Sequence, residues 1–256
     1  MVRSGGSENP SISIDQVDVD VGRGEEIPAR IFAPATPGSY HGAMIVVSEF
    51  GINPGPIHAA ELYASKGFVA IVPEIFFRDR QRVLSVEAQS IAAGRVMRLA
   101  ALSNSADEIV KDERMVEQLA AVAEHLVRDP RVIGRRISVL GGRLGARIAF
   151  GFAARKPEWT AACVGMHPIF PASILDYVSS LESPVRLVFV ESDPTLTPDA
   201  IDRLRAELDY QKKDYGLELL SGAEGTFMIS DSPGFDSELT DRCLVNDMRW
   251  LRSKLG

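Results

Sequence analysis

The sequence predicts an α/β fold, a doubly wound and mostly parallel sheet flanked by helices. Three observations lead there. Short continuous apolar runs, of the kind buried on both faces of a parallel sheet, recur at 43–50, 68–73, 160–166 and 185–190. Segments of helical periodicity alternate with them. The strand-like stretch at 136–140 runs straight into a helical pattern through a turn crowded with Gly141, Gly142 and Gly145. At 256 residues the chain can bury a sizeable core, and α/β proteins of this size are commonly one domain. Residues 11–256 are therefore read as one domain behind a flexible lead at 1–10.

Residues 11–21 alternate, with Ile12, Ile14, Val17, Val19 and Val21 on one pattern, as a half-buried strand should. A partner at 26–32 follows across the turn of Gly22, Arg23 and Gly24. The first buried strand, 43–50, leads through a Gly- and Pro-rich turn into a helix over about 57–66 and a second buried strand at 68–73. That strand–helix–strand order suits a right-handed crossover. Residues 80–129 are helical in pattern and rich in charge. Val116, Leu119, Ala120, Ala123 and Leu126 mark an amphipathic helix that ends near Asp129 and Pro130. Beyond the glycine turn come strands at 160–166, 185–190 and 217–220, a helix at 199–212 and a closing helix at 237–255. Ligands of such sheets bind outside the carboxyl ends of the strands.

Composition narrows the partners. A net charge of −7 argues against nucleic acid, which selects a basic face. No apolar run reaches the roughly 18 residues of a membrane span, and the first residues lack a signal peptide's apolar core, so a cytoplasmic protein is expected. Cys163 and Cys243 are too few for a disulfide framework, and Cys163, inside an apolar run, reads as core. No histidine and carboxylate group has metal-ligand spacing, so neither metal nor cofactor is expected. The charged segment 80–112 is a candidate lid or homodimer surface.

Gly141, Gly142, Arg143, Leu144 and Gly145 keep the frame of the nucleophile elbow G-x-S-x-G, with arginine at the middle position. A guanidinium stays protonated and cannot act as a nucleophile. Further segments then match one family in order. Ser48-Glu-Phe-Gly-Ile-Asn53 resembles the Glu-Ile-Phe-Gly-Val-Asn segment of dienelactone hydrolases, and Pro73-Glu-Ile-Phe-Phe-Arg78 resembles their Pro-Asp-Leu-Tyr-x-Arg. Glu191-Ser-Asp-Pro194 resembles their acid turn, and Ala223-Glu-Gly-Thr-Phe227 their histidine segment. The likeness spans about residues 25–255 and implies an α/β-hydrolase fold. Carried over residue by residue, the family's nucleophile, acid and histidine fall on Arg143, Asp193 and Gly225. The resemblance thus implies a hydrolase scaffold whose triad has been replaced.

On that reading Arg143 either holds a ligand's negative charge or pairs with Glu49 or Asp193 as a salt-bridged plug. Glu49 and Asp193 are also candidate proton carriers. Arg78 matches a family arginine that grips the substrate carboxylate, a role suited to a bidentate guanidinium. Phe50, Asn53, Tyr63, Phe76 and Phe77 are candidate pocket residues. Among His41, His58, His125 and His167, the last falls just past a strand's carboxyl end and is the best acid–base candidate by type, against a structural His-Pro reading. The expectation is a protein that binds a small anionic, polyketide or aromatic molecule and performs a non-hydrolytic step: cyclisation, isomerisation, dehydration or lyase chemistry. By analogy that step would belong to secondary metabolism or aromatic degradation. The alternatives are a non-catalytic ligand-binding scaffold and a residual ester or lactone hydrolase using carboxylate-activated water.

Overall fold

The computed structural model describes residues 11–48, 50–76, 108, 111–168, 172–193, 196–230 and 232–256. Within them the sheet has eight strands in the order β1-β2-β4-β3-β5-β6-β7-β8. β1 (Ile12–Asp20) and β2 (Glu26–Pro34) form the antiparallel hairpin expected from the alternation. Gly22, Arg23 and Gly24 all have positive φ at its turn, which the two glycines adopt without a Cβ penalty. β2 joins β4 (Phe68–Pro73) antiparallel, and every later pairing is parallel.

β3 (Tyr40–Val46) has β4 on one side and β5 (Val132–Gly142) on the other. The chain therefore reverses its winding direction beside β3, and a crevice opens at the strand ends of such a reversal. β6 (Thr160–Met166), β7 (Val185–Val190) and β8 (Tyr215–Leu220) complete the sheet. β3 begins three residues earlier and stops four residues before the predicted 43–50, because the chain turns at Ser48 to Gly51, where the Gly51 N–H donates to the Ser48 carbonyl.

Five α-helices among the described residues flank the sheet. α1 (Pro54–Ser65) starts on the Asn53 cap, whose Oδ1 accepts the Gly55 N–H at 2.9 Å, and it buries Ala59, Ala60, Tyr63 and Ala64. α2 (Glu113–Val127) has the amphipathic face read from the sequence. α3 (Leu144–Arg155) follows the elbow and is buried from Leu144 to Ala154, as suits a helix lying against the central strands. α4 (Pro198–Tyr210) packs near a 3₁₀ turn at Ala172–Tyr177, and α5 (Ser237–Leu255) closes the fold against α1 and β6. Cys163 is fully buried and its thiol is pushed up to about 12 by burial, so it is core rather than a reactive group. No helix among the described residues is long and apolar enough to cross a membrane.

Candidate active site

β5 ends at Gly142 and α3 begins at Leu144, and Arg143 between them sits at φ 52° and ψ −116°. A residue with a side chain adopts this strained conformation only where its surroundings enforce it. Here the enforcement is steric. A Cβ on Gly141 would lie 2.3 Å from the Gly145 backbone, and one on Gly145 would lie 2.3 Å from the Val46 carbonyl oxygen. Bare glycines let helix and strand touch, and the tight turn presents residue 143 to the cleft. The elbow geometry is intact with arginine at its apex.

The Arg143 backbone N–H donates to the Met166 carbonyl at 2.9 Å. Its Nη1 donates to the Gly225 carbonyl at 3.3 Å, and the guanidinium carbon lies 5.9 Å from the centre of the Phe50 ring. His167 follows β6 at φ 49°, its N–H donating to the Val188 carbonyl at 2.6 Å. The backbone turn delivers the imidazole to Asp193, just past β7, with Nε2 and Oδ2 3.5 Å apart. Both side chains are buried, at 6% and 9% exposure.

Position 225 completes the arrangement by being bare. A Cβ on Gly225 would stand 3.3 Å from His167 Nε2. The imidazole from β6 thus occupies the space into which a side chain at 225 would project. Burial, and next the positive charge of Arg143, bring the His167 pKa down to about 4, while Asp193 pulls in the opposite direction. The imidazole is therefore neutral at pH 7.

The cleft has a volume of about 100 Å³ and runs from Arg143 and His167 inward between the sheet and the α1–α5 pair. Phe50, Asn53 and Tyr63 are among the residues around it, and Asn53 also caps α1. Phe76 is buried in the core and is not part of the cleft wall. Glu49, Phe77 and Arg78 lie outside the described residues, as does nearly all of the charged segment at 80–112. His41 lies in β3 and His125 on α2, both away from the cleft lining, and His58 pairs with Asp241 at 2.6 Å. No group of three or more His, Cys, Asp or Glu side chains among the described residues is arranged to hold a metal ion.

The sequence reading passed over Asp247, which is buried on α5 beside the cleft. Its signal was available. Thr240, Cys243, Leu244, Asp247, Met248 and Leu251 form one helical stripe, and an aspartate within an otherwise largely apolar stripe points a carboxylate at the core.

Residues 27–255 match the model of the dienelactone hydrolase family. The chain belongs to that family. A proposed carboxymethylenebutenolidase of Yersinia pestis is 24% identical over 224 residues, covering 84% of this chain and 79% of the relative. Among solved structures, a proposed dienelactone hydrolase from Klebsiella pneumoniae superposes with a TM-score of 0.76 at 20% identity, covering 94% of this chain and 98% of that one. A dienelactone hydrolase-like promiscuous phosphotriesterase from metagenomic libraries gives 0.72 at 15% identity, covering 95% and 99%. These structures share the α/β-hydrolase fold.

Membership in a family of hydrolase enzymes corrects the functional expectation. Neither the non-hydrolytic step nor the non-catalytic scaffold inferred from Arg143 and Gly225 stands against a family match over nearly the whole chain. A position-by-position comparison puts Gly225 where the family carries its histidine, and in the structure the histidine beside Asp193 is His167, the acid–base candidate at the end of β6.

Proposed function

We propose that this member of the dienelactone hydrolase family hydrolyses an ester or lactone of the carboxymethylenebutenolide kind, with the His167–Asp193 pair as its proton-transfer machinery. The observation behind this reading is the buried pairing of a neutral imidazole with a carboxylate beside the elbow. In the tautomer with its proton on Nε2, His167 donates toward Asp193 and leaves Nδ1 as the base. A separation of 3.5 Å is long for a hydrogen bond, and such contacts commonly tighten when substrate binds.

His167 takes a proton from water as the water oxygen adds to the carbonyl carbon. The oxyanion that develops meets the Arg143 guanidinium at the N-terminus of α3, where fixed positive charge stabilises it without solvent reorganisation. The ring C–O or ester C–O bond then breaks, and the leaving oxygen recovers the proton from His167. Water is the nucleophile, because the elbow side chain is a permanently charged arginine.

The test is turnover of a dienelactone and of 4-nitrophenyl acetate in water enriched in ¹⁸O, with mass spectrometry of the intact protein. The expected result is turnover above background, one ¹⁸O in the acid product of a single-turnover reaction, and no acyl adduct. Absence of turnover on every ester and lactone offered sinks the hydrolase assignment. An acyl adduct that forms and decays at the turnover rate keeps hydrolysis and replaces water with a side-chain nucleophile.

A further inference from the structure

β8 ends the sheet, and its outer edge has no partner strand among the described residues. Which of its backbone groups face outward follows from the bonds on its inner side. The Val185 N–H donates to the Asp214 carbonyl and the Glu191 N–H to the Leu220 carbonyl, each at 3.0 Å. Between them the register runs without a bulge from Val185 beside Tyr215 to Val190 beside Leu220. Alternate residues of a parallel strand turn their N–H and C=O to opposite sides. Asp214, Gly216, Glu218 and Leu220 therefore bond toward β7, and Tyr215, Leu217 and Leu219 turn theirs outward.

The two edges of the sheet are built differently. β1 carries Asp15, Asp18 and Asp20 within nine residues, a charged edge of the kind that discourages pairing. β8 has neither proline nor bulge, and its single charge, Glu218, accepts from Arg186 Nη2 at 2.5 Å. Tyr215, Leu217 and Leu219 lie toward α4. There Tyr215 Oη donates to Asp209 at 2.7 Å, and Leu217 and Leu219 line a hollow of about 270 Å³ with Ile201 and Arg205. Leu219 is 46% exposed and Tyr210, at the end of α4, 79%. An open apolar edge is a template for another strand.

The strand that fits it is its own copy. About a two-fold axis at Leu217, an antiparallel β8 sets Leu217 opposite Leu217 and Tyr215 opposite Leu219, once on each side of the axis. These are the three residues whose N–H and C=O face outward, so every one falls at a hydrogen-bonded position, with two bonds for each of three pairs. Tyr215 and Leu219 then meet as cross-strand apolar neighbours, and Glu218 falls opposite Gly216. Moving the axis to Glu218 would set two carboxylates against each other, which is destabilising. The sequence of β8 thus selects one register. We propose that two copies of this chain pair through β8, antiparallel about Leu217, and join their sheets into one. A ribbon of six residues is a small interface, so the association is reversible.

Sedimentation velocity of the intact chain, diluted from about 100 μM, should show a monomer–dimer equilibrium. Leu219→Pro should stay monomeric with unchanged circular dichroism, because the N–H it removes faces outward and proline is tolerated at such an edge position. Leu217→Cys reads the register. At the axis its two Cα atoms stand about 5.5 Å apart, within disulfide range, so mild oxidation should yield a covalent dimer. Leu219→Cys should not crosslink, since its two copies lie four residues, or about 13 Å, apart along the ribbon. Cys163 and Cys243 are buried, and oxidised wild type is the control for them. A wild type that is monomeric throughout, a dimer that persists in Leu219→Pro, or crosslinking through residue 219 in place of 217 each overturns the proposal. Should Leu219→Pro fail to fold, the dilution series and the two cysteine variants decide it.

Discussion

Two histidine–aspartate pairs form among the described residues, and they differ in every respect that matters to chemistry. His58 and Asp241 join α1 to α5 at 2.6 Å, with side chains 49% and 52% exposed. His167 and Asp193 stand further apart, at 3.5 Å, but are buried at the strand ends beside a strained arginine. The exposed pair is solvated and screened, so its short contact is worth at most a fraction of a kcal/mol. In the buried pair little solvent competes for the imidazole, whose neutral form is enforced by burial and by Arg143. Separation alone is thus a poor guide to function. The surroundings decide whether a histidine beside a carboxylate is a surface clamp or a base.

Substituting His167 should have the largest effect. Asparagine is the apt replacement, because it tolerates the φ of 49° that alanine would adopt only with strain. His167→Asn should lower kcat/KM for ester or lactone hydrolysis by about 10²–10⁴-fold, measured by steady-state kinetics. If hydrolysis persists at the wild-type rate, the buried pair is structural and the contrast with His58 collapses.

Arg143→Gln comes next. Removing one donor aimed at a developing oxyanion costs roughly 10²-fold in kcat. The same substitution removes one of the two causes that depress His167. The acid limb of the pH–rate profile, near pH 4 in wild type, should therefore move upward toward the ordinary histidine value of 6.5. A limb that stays near 4 would show that burial alone sets the proton affinity.

The pH dependence of stability has two opposed contributions. Native His167 titrates near 4 and its unfolded counterpart near 6.5, so stability falls as pH drops through that window. Asp247 titrates near 7 when native and near 3.8 when unfolded, so it adds stability over much of the same descent. Urea denaturation at pH 7 and pH 4.5 should show that wild type loses more stability on acidification than His167→Asn does. Equal losses would show that the proton uptake belongs elsewhere.

Gly225→Ala tests the crowding around the buried pair. A Cβ 3.3 Å from Nε2 must displace the imidazole by a few tenths of an ångström, which should lower kcat about tenfold with little change in the melting temperature. The smallest effect belongs to the exposed pair. His58→Ala should leave kcat unchanged and shift stability by less than about 0.5 kcal/mol in urea denaturation. A large loss of activity there would overturn the comparison from its other side.

Much of this molecule is legible in local patterns. Apolar runs and helical stripes locate the strands and helices, since burial of a face depends on a period of two or 3.6 within one segment. The elbow is equally local. Gly141 and Gly145 are required by contacts a few residues away and across to Val46, so the turn can be named from five letters even though its apex is arginine. Arginine at 143 and glycine at 225 suggested a broken machine, and there the local reading ran out. Sheet order brings the end of β6 beside the end of β7, and that adjacency places His167 against Asp193 and leaves Gly225 bare. In the same way α1 and α5, far apart in the chain, close on one cavity. Periodicity is a property of a segment and can be read from it. Which side chains share a buried space depends on how segments cross, and only the packed sheet determines that.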